Sequence, residues 1–154
     1  MKDVELKLKV MGFDFTKANP PAGSYVPHIT HNGLLMVSGQ TCKKDGKLVY
    51  FGKVGRDLDL NQGVEAAKLC AINLIGQLFN ACNGDWGKLA QCMKLTVFVN
   101  CDADFESMSK VADGASDLLH EIFGERGKHT RSAVGAIALP GGAAVEIEGV
   151  FALL

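Results

Sequence analysis

The segment 59–84 constrains the fold most, because it carries the signals of one long helix from its start to its end. Asp59 and Gln62 stand three positions apart, as in a capping box. The pair Asn83-Gly84 is typical of a helix end. Between these signals, apolar residues recur on one face only: Val64, Ala67, Ala71, Leu74 and Leu78. A helix with a single apolar stripe needs a second layer to pack on, and it predicts a layered domain.

A second helix of the same kind is predicted after Asp104, which stands in a capping position, and it ends at Gly124. Its apolar face comprises Phe105, Met108, Ala112, Ala115, Leu119 and Ile122. This helix also has one apolar stripe, so we expect both helices to lie on the same side of a sheet.

The other regular segments are typical of strands. Residues 33–40 form a short apolar run, and 43–52 contain an Asp45-Gly46 turn that indicates a hairpin. In 91–100, Met93, Leu95, Val97 and Val99 alternate on one side. Strands near 132–139 and 143–152 are joined by Pro140-Gly141-Gly142. The order predicts an α+β fold, a sheet covered on one face, whose uncovered face is buried by self-association.

Length and composition favour one globular domain, residues 1–154, without a resident cofactor or metal. The chain has 154 residues and a net charge of −1, which gives no general attraction to nucleic acid or anionic membranes. Its five cysteines form no C-x-x-C pair, and this indicates reduced thiols and no zinc site. The start, MKDVELKLKV, lacks a signal core. We therefore expect a cytoplasmic protein, with a mitochondrial location left open.

The most informative polar residues enclose the apolar stretch 131–149. Arg131 begins one predicted strand, whereas Glu146 and Glu148 share one face of the next. If the two strands form a hairpin, Arg131 lies beyond Glu146, and a direct salt bridge is not guaranteed. Alternatively, both side chains point into one cavity, where an arginine fork binds a ligand carboxylate and a glutamate moves a proton.

Other polar groups give weaker signals. His129 stands close to Arg131 and is a possible base, although a loop histidine that shapes a cleft is the simpler interpretation. The segment RGKHTR, 126–131, could bind phosphate in a ribonuclease, or it is a turn with solvated charges. The sparse aromatic content, 7%, argues against nucleic-acid binding.

Several segments together resemble one protein family. They are SYVPHITHNGLLMVSGQ, GKVGRDL, DGASDLLHEIFGERGKHTRSAVG and LPGGAAVEIEG, and the resemblance spans about 21–152. The family is Rid, the reactive-intermediate (enamine/imine) deaminases, also known as liver perchloric-acid-soluble protein endoribonucleases. The resemblance implies a chorismate-mutase-like fold with two long helices on one face, a homotrimer with a barrel-like core, and ligand clefts between subunits.

The resemblance also implies an activity and a set of site residues. The activity is hydrolysis of 2-aminoacrylate or 2-iminopropanoate to a 2-oxo acid and ammonia, without a cofactor. Arg131 matches the arginine that binds the substrate carboxylate, and Glu146 matches the glutamate that positions water. The substrate-binding positions would be Tyr25, Ser38, Gly39, Asp113 and Ser132.

This chain departs from the family pattern in ways that place it in a divergent branch. Ala133 replaces a cysteine, Gly135 replaces a glutamate, and Asp113 stands near a position often filled by asparagine. Residues 1–20 form an N-terminal extension. Its alternation fits a strand or a short helix, and the resemblance favours a helix over 3–11.

Overall fold

The computed structural model describes residues 2–154 as an α+β fold in which two long helices cover one face of a five-stranded sheet. The sheet order is β1-β2-β7-β5-β6, and β3 and β4 form a separate hairpin. The helices are α1 (Lys2–Val10), α2 (Leu60–Ala81) and α3 (Met108–Phe123). The strands are β1 (His28–His31), β2 (Leu34–Thr41), β3 (Lys43–Lys44), β4 (Lys47–Leu48), β5 (Leu89–Asn100), β6 (Thr130–Ala136) and β7 (Val145–Leu153).

The start and the end of α2 follow its sequence signals. The Gln62 amide donates to Asp59 Oδ1 at 2.8 Å, and the Asp59 amide donates to Gln62 Oε1 at 2.9 Å. After the helix, Asn83 and Gly84 adopt positive φ angles of 54° and 78°. The predicted capping box and glycine end are therefore confirmed, as is the helical N-terminal segment, in which Val4 and Leu8 are buried.

The predicted start of α3 is wrong. The helix begins at Met108 after Ser107, three residues later than an Asp104 cap requires. The Phe105 amide donates instead to the Asp102 carbonyl, so the segment before the helix is a turn. A Cβ on Gly55 would lie 2.6 Å from the Phe105 ring, so the ring packs closely against the loop that carries Gly55.

The strands β6 and β7 are not neighbours in the sheet, contrary to the hairpin predicted for 132–152. β5 lies between them, pairing parallel with β6 and antiparallel with β7. The prediction for Met93 is also wrong. A register shift between Cys92 and Lys94 places Cys92 in the core and leaves Met93 44% exposed. Alternation over a strand assumes unbroken pairing, which this bulge interrupts.

The sheet face opposite the helices carries exposed apolar side chains, as expected from the single stripe on each helix. Ile29, Leu34, Met36, Met93 and Val134 are all more than 40% exposed. We call these five residues the open apolar face. Exposed apolar groups on a sheet are typical of an interaction surface.

Within residues 2–154, no helix combines the length and the apolar character that crossing a membrane requires.

Candidate functional site

A cleft of about 240 Å³ lies where the segment before β1, the middle of β2 and the start of β7 meet. We call it the Glu146 cleft. Its walls include Tyr25, Gly39, Gln40, Lys43 and Glu146. Three predicted site residues, Tyr25, Gly39 and Glu146, therefore share one cavity, although Glu146 is more than a hundred positions from the other two in the sequence.

Glu146 is the one carboxylate among the cleft walls. Its side chain is half-buried and has no hydrogen-bond or salt-bridge partner among the described residues. Burial, and then the charge of Glu148 on the same strand face, raises the pKa of Glu146 above its ordinary value. A carboxyl group whose pKa moves toward neutrality can both take up and release a proton near the operating pH.

Gly39 makes room for this carboxylate. It lies at the β2 bulge between Val37 and Gln40, and a Cβ there would overlap the Glu146 side chain, Oε1 first. The absence of a side chain at position 39 is therefore a steric requirement of the Glu146 position.

Tyr25 belongs to the segment that forms the outer wall of the cleft, and Ser38 on β2 supports that segment. The Tyr25 hydroxyl accepts a hydrogen bond from the Ala22 amide at 3.1 Å, and half of the side chain is exposed. Ser38 is not among the cleft walls. Its hydroxyl donates to the Val26 carbonyl at 2.8 Å, and its amide donates to the Pro27 carbonyl at 2.9 Å. Ser38 thus anchors the segment that carries Tyr25.

Arg131 lies in a different place, beside α3. Its Nη1 donates to Ser116 Oγ at 2.9 Å. Its Nη2 lies 2.9 Å from both the carbonyl oxygen and the hydroxyl of Ser109, and 2.8 Å from Asp113 Oδ1. The side chain is 20% exposed, whereas that of Asp113 is 54% exposed. We call Ser109, Asp113, Ser116, His129 and Arg131 the Arg131 cluster.

His129 completes this cluster. Its Nδ1 lies 2.6 Å from the Gly127 carbonyl oxygen, which can only accept, so Nδ1 carries the proton. In the neutral ring Nε2 then accepts from the Ser116 hydroxyl at 2.9 Å. Burial lowers the pKa of His129, the Gly127 carbonyl opposes this effect, and the charge of Arg131 adds to the lowering. The ring is therefore neutral at neutral pH, and it orients Ser116 toward Arg131.

Arg131 and Glu146 of one chain do not meet. On β5, Arg131 pairs with Leu95 and Glu146 pairs with Phe98. Leu95 is buried under the helices, whereas Phe98 belongs to the alternate set on the opposite face. The two residues are thus about 10 Å apart across the strands and about 10 Å apart along them, on opposite faces. The prediction that both point into one cavity is wrong within a single chain.

Ser132 lies apart from both groups. It is exposed, next to Arg131 on β6, and it accepts a hydrogen bond from Lys94 Nζ at 3.3 Å. On the helix side of β6, a Cβ on Gly135 would lie 2.9 Å from Cys101 Sγ. A glutamate at position 135 therefore does not fit unless Cys101 moves.

The segment RGKHTR does not present a free cationic surface. Arg126 donates to the Leu89 carbonyl at 3.0 Å, Lys128 pairs with Glu125 at 2.8 Å, and Arg131 pairs with Asp113. Because each of these cations already has a carboxylate or carbonyl partner, the interpretation of 126–131 as a turn is favoured over that of a phosphate site.

The residues predicted from the sequence do not include Ser109, Ser116 or Lys43. Ser109, Asp113 and Ser116 are spaced i, i+4, i+7, so they form a polar stripe on one side of α3. That spacing was available from the sequence, but only the structure brings Arg131 to it. Lys43 enters the Glu146 cleft from the β3–β4 hairpin, and no spacing in the sequence indicates this.

Two comparisons identify relatives across nearly the whole chain. Residues 5–148 match the family model described as YjgF/chorismate mutase-like, putative endoribonuclease. Protein TCP17 of Trypanosoma cruzi is 39% identical over 97% of this chain and 94% of its own length.

Solved structures agree with that match. Protein Atu1372 of Agrobacterium tumefaciens, whose function is unknown, is 39% identical with a TM-score of 0.91, covering 99% of this chain and 94% of that one. A Shewanella oneidensis protein named as a putative endoribonuclease is 33% identical with a TM-score of 0.92, covering 97% of this chain and 99% of that one.

Proposed function

The chain belongs to the YjgF/Rid family, and from that premise we propose that it hydrolyses small 2-imino acids to 2-oxo acids and ammonia. One observation carries the proposal: an unpaired glutamate with a raised pKa faces an open cleft beside a glycine that makes room for it. Such a group is suited to general acid–base chemistry on a small molecule.

The substrate carboxylate needs a cation, and we propose that Arg131 of a neighbouring subunit supplies it. Within one chain, Arg131 and Glu146 lie on opposite faces of the sheet. The open apolar face gives copies of this chain a surface on which to associate. A homotrimer, as the family resemblance implies, would close each site between two subunits.

The chemistry balances without a cofactor. The enamine first tautomerises to the imine. Glu146 takes a proton from water as the oxygen attacks the C=N carbon, and it passes this proton to the nitrogen. The resulting carbinolamine gives its hydroxyl proton to Glu146, which passes it to the nitrogen, so that ammonia leaves and a 2-oxo acid remains. One well-placed acid–base group contributes about 10²- to 10⁴-fold in rate.

A coupled assay tests the activity. A serine dehydratase generates 2-aminoacrylate, and 2-oxo acid formation is followed with wild type, Arg131→Ala and Arg56→Ala. Arg56 is an exposed arginine paired with Asp57 and Asp102, and it lines neither the Glu146 cleft nor the Arg131 cluster. We expect Arg131→Ala to lower turnover about 100-fold and Arg56→Ala to leave it unchanged. Equal turnover in all three proteins would refute the proposal.

A second candidate is a trimer that binds small carboxylates without turning them over. The Asp113 carboxylate on Arg131, together with Ala133 and Gly135, favours it. It predicts Arg131-dependent binding in calorimetry and no turnover above background. RNA cleavage, suggested by the names of relatives, has little support because Arg126 and Lys128 are engaged by the Leu89 carbonyl and by Glu125, and intact single-stranded RNA after incubation would exclude it.

A further inference from the structure

We propose that Asp113 is an exchangeable internal ligand of Arg131, which occupies the guanidinium in the free protein and is displaced by the substrate carboxylate. The inference rests on the proposed function, since it assigns to Arg131 a small anionic ligand. It gives Asp113 a role opposite to that of a substrate-binding residue, because its removal strengthens binding.

The hydrogen-bond count around Arg131 supports an exchange. Nη2 has two hydrogens, but three acceptors surround it: the Ser109 carbonyl, the Ser109 hydroxyl and Asp113 Oδ1. If Asp113 leaves, both hydrogens keep partners. The guanidinium therefore loses no obligatory hydrogen bond when a ligand carboxylate replaces the aspartate.

The other partners of Arg131 are fixed. One Ser109 acceptor is a backbone carbonyl in the first turn of α3. Ser116 is held by its hydrogen bond to His129, whose ring is in turn held by the Gly127 carbonyl. These contacts keep the guanidinium in place while Asp113 moves, so the cluster contains three positioning residues and one mobile competitor.

Among the partners of Arg131, Asp113 is also the one that water can hydrate most easily. Its side chain is 54% exposed, compared with 20% for Arg131, so the released carboxylate is readily hydrated. Both residues line an open cavity of about 470 Å³ together with Ser116, Asp117 and His129. The cavity has room for a small carboxylate and for the displaced side chain.

The competition sets the affinity of the site. A half-exposed ion pair such as Arg131–Asp113 lowers the affinity of Arg131 for a competing ligand by about twofold to fivefold. Asp113 also repels any anion that approaches Arg131, so the pair selects against weakly bound anions. Removal of Asp113 should strengthen the binding of a ligand whose only charged group is a carboxylate. It should weaken the binding of a ligand whose ammonium group pairs with Asp113.

Calorimetry with pyruvate and with L-alanine tests the exchange. Asp113→Asn keeps the shape of the side chain without its charge, and Glu121→Gln is a matched control at an exposed position of the same helix outside this cavity. We expect Asp113→Asn to bind pyruvate about twofold to fivefold more tightly than wild type. Glu121→Gln is expected to bind like wild type, and Arg131→Ala not to bind.

The other outcomes distinguish a failure of the exchange from a failure of the proposed function. Pyruvate binding that depends on Arg131 but is equal or weaker in Asp113→Asn overturns the exchange and leaves the proposed function intact. Weaker L-alanine binding in Asp113→Asn would assign Asp113 to an ammonium group and also overturns it. No pyruvate binding by wild type or any variant contradicts the proposed function itself.

Discussion

The Glu146 cleft and the Arg131 cluster differ in how their charges are satisfied. Glu146 has no polar partner among residues 2–154, and burial raises its pKa. Arg131 has three side-chain partners and one backbone partner, all on α3. One region leaves an acid free to move protons, whereas the other holds a cation in a defined orientation.

Under the proposed function, the two regions are the two halves of one site. A reaction on an imino acid needs a proton carrier at the C=N group and a cation at the carboxylate, only a few ångströms apart. The sheet holds the two groups on opposite faces, so one chain cannot bring them together. Association of chains is the step that can, and the variants below test each half separately.

The largest effect is expected from Glu146→Gln. Turnover should fall about 10²- to 10⁴-fold because an amide cannot carry the proton. The stability of the variant, in contrast, should be higher than that of wild type at pH 7. A raised pKa means that the folded state binds the proton more tightly, so stability falls as pH rises from about 4.3 through the folded pKa. At pH 7 the variant should therefore melt at a higher temperature than wild type.

The control for Glu146→Gln is Glu121→Gln, at an exposed helical position remote from the cleft. It should change neither turnover nor the melting temperature. If Glu146→Gln melted below wild type at pH 7 and equally at pH 4, the assignment of Glu146 as a buried, unfavourable charge would be wrong.

A smaller loss is expected from Gly39→Ala. The added methyl group overlaps the Glu146 carboxylate, which must move. We expect turnover to fall about 10- to 100-fold with the fold retained, as judged by circular dichroism. Gly23→Ala, whose Cβ would meet only the Tyr25 ring at 3.4 Å, is the matched control and should remain active. Full activity of Gly39→Ala would mean that the position of Glu146 is not critical.

The smallest effect concerns the pH dependence of stability at the Arg131 cluster. The pKa of His129 is lowered, so below about 6.5 the unfolded chain takes up a proton that the folded chain resists. As the pH is lowered through that window, the stability of wild type should fall, and the stability of His129→Gln should fall less. Urea unfolding between pH 5 and 7 measures both. His31→Gln, at an exposed histidine, should keep the wild-type slope. An unchanged slope in His129→Gln would contradict a neutral, buried ring.

Much of the fold could be predicted because its signals are local. The Asp59–Gln62 capping box, the Asp45-Gly46 turn and the Gly124 helix end each depend on neighbouring residues, and each is observed. The errors in the sheet depend on long-range pairing. The placement of β5 between β6 and β7, and the bulge that turns Met93 outward, are set by the partner strands.

The candidate site was predictable only in part for the same reason. The resemblance named Arg131 and Glu146, and the alternation correctly put Glu146 and Glu148 on one face. No local pattern shows that β5 separates the two residues and that they lie on opposite faces, or that Ser109 and Ser116 hold the guanidinium. Those facts depend on the order of strands and on the side of the sheet that α3 covers.

Subunit mixing tests the shared site most directly. Arg131→Ala and Glu146→Gln chains are unfolded together, refolded at equal amounts, and assayed for 2-oxo acid formation. If each site takes its arginine and its glutamate from different chains, about a quarter of the sites regain both groups, and turnover returns to about a quarter of wild type. Turnover no higher than that of the two variants refolded separately would contradict a site built between subunits.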